Sequence, residues 1–242
     1  MRTRFGSFRW FPSAMFVLST SLRLSSAAFA APADSASAPG TRTLLLVRHG
    51  EYDHDDPRDE SVGKGLVPLG GEQCRAVGRR LAAWPARVTV LRASTFTRAR
   101  ESAAIVGRAL HLTPQPEPGI CECTPPTPRA DVMKDLRPGE ADSCVAQLEA
   151  LVAQRFRPTA HGDSVEAWVC HGNVIRYLVC RALKVDPTMW LQMGIANCSV
   201  SEIQIRPDGT TRLMAYDDVG HLPGRLLTRG GSAMKPAPPP RR

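Results

Sequence analysis

Three short stretches of the chain are apolar almost without a break. Thr43–Val47, Val88–Leu91 and Ala167–Cys170 each read as a strand buried on both faces. Around them the spacing becomes helical. Leu69, Cys74, Val77, Leu81 and Trp84 recur at helical intervals until Pro85 stops the pattern. Ser94, Thr95 and Thr97 offer N-caps for a helix that runs to about Leu110. Residues 140–156 place Cys144, Leu148, Leu151 and Val152 on one helical face, and residues 174–183 predict another helix. Residues 198–205 and 211–215 read as two strands joined by Arg206-Pro-Asp-Gly209, a hairpin signal. Six prolines fall within residues 113–128, which predicts a long ordered loop. Strands that alternate with helices predict an α/β fold. Its form is three-layer α/β/α, with a mostly parallel central sheet and helices on both faces.

Charge refines this picture. The 242 residues carry a net charge of +8, which would suit a polyanion binder. The excess lies at the ends. Residues 1–30 hold four basic residues and no acid, and residues 219–242 hold five and no acid. The middle, 31–218, has 22 basic residues against 23 acidic ones, a balance of −1. A basic groove within the fold, and with it nucleic acid as a partner, is not expected. Residues 1–40 read as a targeting segment and linker. They are rich in Arg and Ser, and their first acid is Asp34, the composition of a mitochondrial presequence. A secretory signal and a membrane anchor are the alternatives, although Arg23 interrupts the apolar run from Ala14 to Leu22. Residues 41–228 form the predicted domain, and 229–242 a Pro-rich basic tail expected to be disordered. Seven cysteines without a CxxC pair read as mostly reduced.

In sheets of this kind ligands bind beyond the C-terminal strand ends. Arg48-His49-Gly50 follows the first apolar run, Arg98 the second and His171-Gly172-Asn173 the third. Each piece alone has an ordinary surface or core reading. Together, two histidines and two arginines beside helix N-termini make a compact pocket of positive charge, and the ligand that suits it is a phosphoryl group. A neutral imidazole there is a competent nucleophile, and the flanking charges would stabilise the transferring phosphoryl oxygens. The leaving oxygen needs a proton, and Glu122 in the Pro-rich loop is the best-placed donor. The scheme calls for no metal and no cofactor. Asp53, Asp55, Asp56, Asp59 and Glu60 form an acidic loop, read as solvated.

These residues resemble the histidine phosphatase superfamily, which includes phosphoglycerate mutases and acid phosphatases. Arg48-His49-Gly50, the Ser94 to Arg98-Ala99 segment and Cys170-His171 carry the likeness. The stretches from Val169 to Leu183, from Asn197 to Gly209, and Asp218-Val-Gly220 with Pro223 are similar to mitochondrial protein Ser/Thr phosphatases of that superfamily. The resemblance implies His49 as nucleophile, Arg48, Arg98 and His171 as phosphate ligands, and Glu122 as proton donor. It implies a metal-independent phosphomonoesterase acting on pSer/pThr proteins, located in mitochondria, with membrane association through the N-terminus and self-assembly both compatible. The other functional readings are a small-molecule phosphatase or mutase, and a weakly catalytic phospho-binding scaffold. Two departures stand out. The relatives' Leu-Arg-Glu-Gly donor loop is Ile120-Cys-Glu-Cys123 here, and Val67, where relatives carry Thr, offers no capping hydroxyl.

Overall fold

The structure is a computed structural model that describes residues 38–229. The sequence readings for the N-terminal targeting segment and the C-terminal tail lie outside these residues, apart from their inner ends. Strand β1 (Pro39–Arg48) already includes two residues read as linker, and it pairs from Pro39 with Gly162. The order then runs α1 (Pro68–Ala82), β2 (Val90–Ala93), α2 (Thr97–Leu110), β3 (Gln115–Pro116), a one-turn α3 (Ala130–Met133) and α4 (Glu140–Arg155). β4 (Gly162–Cys170), α5 (Gly172–Leu183), β5 (Val200–Ile205) and β6 (Thr211–Asp218) follow. The sheet order is β3-β2-β4-β1-β5-β6. β3, β2, β4 and β1 are parallel, while β5 and β6 run antiparallel to their neighbours. The mostly parallel α/β/α expectation therefore holds.

Residues of β1 alternate between two cores. Leu45 and Val47 pack with Cys74, Val77 and Leu81 of α1 and Ala99, Ala103 and Val106 of α2. Leu44 and Leu46 pack on the other face with Leu148 and Leu151 of α4 and Val174 and Leu178 of α5. β4 repeats the pattern, with Ala167 and Val169 on one side and Trp168 and Cys170 on the other. Two covered faces are why both strands read as unbroken apolar runs.

Two sequence expectations shift. β2 pairs with β4 from Val90 to Ala93, not from Val88. Val88 is buried but lies outside the ladder, so its apolarity reports burial and not pairing. α2 has Phe96 as its N-cap, with no side-chain cap bond. The Thr97 N–H donates instead to the Glu60 carbonyl (2.9 Å), so backbone from the acidic loop does the work expected of a hydroxyl. α1 starts as its sequence suggested, with an uncapped Val67 followed by Pro68, which needs no acceptor. The hairpin turn between β5 and β6 uses Gly209 at φ +79°.

Candidate active site

Parallel register builds the site. Arg48 lies opposite Cys170, so the residues that follow, His49 and His171, leave the sheet side by side. The His49 N–H donates to the Cys170 carbonyl (2.9 Å), and the two imidazole centres lie 5.1 Å apart. β2 ends beside them, since the Ser94 N–H donates to the Val169 carbonyl (3.0 Å). The first turn of α2 then carries Arg98 over His49. α1 closes the back of the loop, where a Cβ on Gly70 would stand 1.9 Å from the Glu51 carbonyl oxygen. Only glycine allows that approach. The resulting cleft, about 440 Å³, is lined by Arg48, His49, Arg98 and Glu122 together with Tyr52, Glu60 and Arg176. His171 lies fully buried against its floor. The five residues singled out from the sequence are thus brought together.

Hydrogen bonds assign the protons. His49 Nδ1 lies 2.8 Å from the Gly50 carbonyl, which can only accept, so Nδ1 carries the hydrogen. Nε2 is left with its lone pair, which accepts from Arg98 Nε at 3.2 Å. Burial, then His171, Arg48 and Arg98, hold the His49 pKa well below the ordinary imidazole value. Burial followed by the same two arginines does likewise at His171. Both rings are neutral at pH 7. His171 Nε2 lies 2.7 Å from Ser94 Oγ. Its Nδ1 has no hydrogen-bond partner among the described residues and sits 4.0 Å from Glu122 Oε2. Such a buried, unsatisfied nitrogen at a cleft floor is a place for a ligand oxygen.

The arginines are fixed from behind. Arg48 donates from Nη1 to the Ile195 carbonyl (2.8 Å). Arg98 lies over the Tyr52 ring at 4.7 Å and pairs through Nη1 with Glu60. That pair corrects the reading of the acidic loop. Asp53, Asp55 and Asp59 are exposed, but Glu60 turns inward to Arg98, and Asp56 accepts from Arg58 and from the Lys64 N–H. A buried guanidinium draws a carboxylate from whichever loop passes it.

Glu122 stands on a loop held by its neighbours. Gln147 Nε2 donates to the Cys121 carbonyl (2.9 Å), Asn173 Nδ2 to the Cys123 carbonyl (3.1 Å), and Trp190 Nε1 to the carbonyls of Pro125 and Pro126. The side chain is about a quarter exposed, yet Oε1 is shielded from solvent and has no partner among the described residues. Burial raises the Glu122 pKa, and the opposing pull of Arg98, Arg48 and Arg176 does not cancel it. A raised pKa favours the protonated form, the one able to donate. The cysteines are mostly reduced, as expected, with one exception. Five are free, but Cys123 and Cys144 form a disulfide. They are 21 residues apart, and only the folding of the Pro-rich loop onto α4 brings them together. Among the described residues, no group of three or more His, Cys, Asp or Glu side chains is placed to hold a metal ion.

Sequence reasoning missed Arg176, Tyr52 and the role of Ser94. Arg176 had a usable signal. It lies four residues after Gly172, on the same face of α5, and both line the cleft. Tyr52 had none, because its position depends on how an irregular loop folds back.

The sequence matches the model of the histidine phosphatase superfamily (branch 1) over residues 44–125 and 137–218. It is 39% identical over 200 residues to the serine/threonine-protein phosphatase Pgam5, mitochondrial, of Caenorhabditis elegans, covering 79% of this chain and 68% of that one. With the human protein of the same name it shares 33% over 213 residues, covering 81% of this chain and 69% of that one. Among solved structures, a Plasmodium falciparum phosphoglycerate mutase superposes with a TM-score of 0.53 at 23% identity, over 76% of this chain and 96% of that one. A mycobacterial glucosyl-3-phosphoglycerate phosphatase gives 0.55 at 19%, over 73% and 99%. These two likenesses bear on the fold alone. The family match spans both sides of the sheet, and identities above 30% extend over two thirds of the relatives' length: this chain belongs to the histidine phosphatase superfamily, branch 1.

Proposed function

We propose that the chain is a phosphomonoesterase that acts on phosphoserine and phosphothreonine in proteins through a phosphohistidine on His49. The observation that carries this reading is the lone pair on Nε2 of a neutral, buried His49 with Arg98 Nε beside it. Nε2 attacks phosphorus in line with the leaving oxygen. Arg48, Arg98 and the Nδ1–H of His171 hold the remaining phosphoryl oxygens as charge builds on them. Glu122 gives its proton to the leaving serine or threonine oxygen. The resulting carboxylate then takes a proton from the water that cleaves the phosphohistidine. Charge is handled throughout by side chains, so the scheme asks for no metal.

Protein substrates and a mitochondrial location are supported by the names of relatives above 30% identity, and location also by the Arg- and Ser-rich residues 1–40. Membrane association is a proposal that rests on that same N-terminal segment, whereas the relatives' multimerisation segment is absent from the linker, so self-assembly would need another route. No helix among the described residues is long and apolar enough to cross a membrane. Imaging a fusion of residues 1–40 tests the location, and reticular staining would overturn it.

The central experiment compares full-length wild type with His49→Ala on an aryl phosphate and on pSer and pThr peptides, and traps the acid-labile phosphoenzyme. Wild type should form the label and turn over peptides, and His49→Ala should do neither. Activity surviving in His49→Ala would sink the mechanism. Faster turnover of sugar phosphates than of phosphopeptides would assign a small-molecule substrate. Tight phosphate binding without a label would assign a scaffold.

A further inference from the structure

We propose that the Cys123–Cys144 disulfide is the clamp that positions the Glu122 carboxyl, which makes Cys144 a positioning residue for the proton transfer. The proposal rests on the reading of Glu122 as proton donor. The donor loop has little backbone support of its own. Glu117 donates to the Ala93 carbonyl, and Cys121 to Pro118, but from residue 122 to 128 no backbone N–H finds a backbone carbonyl among the described residues. Pro125, Pro126 and Pro128 cannot donate at all. What holds this stretch comes from outside it: the side chains of Asn173 and Trp190, and one covalent bond. That bond sits on the residue directly after Glu122. Its other end, Cys144, is buried in α4 among the residues of the second core, with Leu148 and Leu151. The loop is therefore tied to the rigid interior one residue away from the donor. Where relatives have an Arg and a Gly around this Glu, the chain has two cysteines, and the second of them supplies the tether.

A clamp made of a disulfide can be opened by a dithiol. Two electrons from the dithiol cleave the S–S bond, two protons end on Cys123 and Cys144, and the reagent leaves as its own cyclic disulfide. Cys123 is part-exposed, so the bond is open to attack from that side. Gln147, Asn173 and Trp190 remain after reduction, so the donor is loosened and not lost.

The test uses leaving groups. A serine oxygen must be protonated to leave, whereas 2,4-dinitrophenolate leaves as a stable anion and needs no donor. The full-length chain is assayed on a phosphoserine peptide and on 2,4-dinitrophenyl phosphate as wild type, Glu122→Gln, and the double variant Cys123→Ser/Cys144→Ala. The expected result is a fall of about tenfold or more in the peptide-to-aryl ratio of kcat/KM, which reports formation of the phosphohistidine and not its shared hydrolysis, for the double variant, and a larger fall in the same direction for Glu122→Gln. Wild type treated with dithiothreitol should match the double variant, which should not respond further. If Glu122→Gln lowers the ratio while the double variant and reduced wild type keep it, the clamp is overturned and the donor reading stands. Equal losses of kcat/KM on both substrates in the double variant also overturn it, as a purely structural role would produce. If Glu122→Gln leaves the ratio unchanged, the donor reading fails first and the clamp with it. Should the double variant not fold, reduced wild type held below its melting temperature decides the matter alone.

Discussion

Ser94→Ala separates a cap from a catalytic support. The sequence offers Ser94 as a helix cap, but the structure puts its Oγ 2.7 Å from His171 Nε2, 3.3 Å from the Phe96 N–H and 3.4 Å from Cys121 Sγ. A hydroxyl has one proton to give. The close imidazole nitrogen takes it in preference to sulfur, a weak acceptor. His171 then keeps its own proton on Nδ1, the nitrogen 4.0 Å from Glu122 Oε2. Alanine removes the acceptor for Phe96 and the partner of a ring that is fully buried. An orphaned buried group costs about 1–3 kcal/mol, and the Phe96 N–H, only part-buried, costs less, so the variant should lose roughly 2–4 kcal/mol. In a domain of this size that lowers Tm by about 5–12 °C. Activity should suffer independently. A ring free to place its proton on either nitrogen offers a poorer donor to the phosphoryl oxygen, and kcat/KM for an aryl phosphate should fall about 10–100-fold. Thermal melting and steady-state kinetics below the variant's Tm read the two effects apart. A variant with lowered Tm but kcat/KM within twofold of wild type would refute the tautomer argument and leave Ser94 a structural residue.

Other consequences are more direct. Arg98→Lys keeps the charge but cannot reach both His49 Nε2 and the Glu60 carboxylate with a planar fork, so kcat/KM should drop about 10²-fold, and a loss under about threefold would count against the assigned role. Glu122 must hold its proton, and burial raises its pKa, so kcat/KM on a phosphoserine peptide should decline as pH rises through that raised value. Glu122→Gln should flatten this alkaline limb without moving the acid one, and an unchanged limb would show that another group titrates. Stability should also depend on pH. His49 and His171 have depressed folded pKa values, so below about pH 6.5 the unfolded chain binds protons that the folded one refuses. Their contribution is complete above that pH and shrinks as pH falls toward the folded values, at up to about 1.4 kcal/mol per unit for each histidine. A urea midpoint that stays level between about pH 7 and 5 would contradict the neutral, buried rings.

What the sequence made legible follows from range. The apolar runs of β1 and β4, the helices between them and the residues just past the strand ends are local signals, and they led to Arg48, His49, Arg98 and His171 before any contact was known. Pairing is not local. Nothing near Val88 tells that the ladder starts at Val90, because burial and hydrogen bonding part company there. Nothing near Ser94 tells that its hydroxyl meets a histidine 77 positions later. Glu60 looked like one acid among five until Arg98 was placed beneath it. Cys123 and Cys144 have no spacing that marks them as partners. In each case the missing quantity was a register or a loop path, which one strand or helix does not contain.

One physical cause prepares both halves of the proposed chemistry. The cleft floor excludes water, and exclusion of water disfavours whichever form of a group is charged. For an imidazole the charged form is the protonated one, so burial leaves His49 with its lone pair free. For a carboxyl the charged form is the deprotonated one, so the same burial favours the protonated form of Glu122. The arginines act in opposite directions on the outcome. They push the histidine further toward neutrality, which helps the nucleophile, but they pull Glu122 toward ionisation, which works against the donor. A donor loop that let Glu122 swing toward Arg98 or Arg48 would tip that balance and discharge the acid before substrate arrived. With Glu122 as the proposed donor, holding the loop back is part of the acid chemistry, and in this chain that restraint falls to Gln147, Asn173, Trp190 and the bond between Cys123 and Cys144.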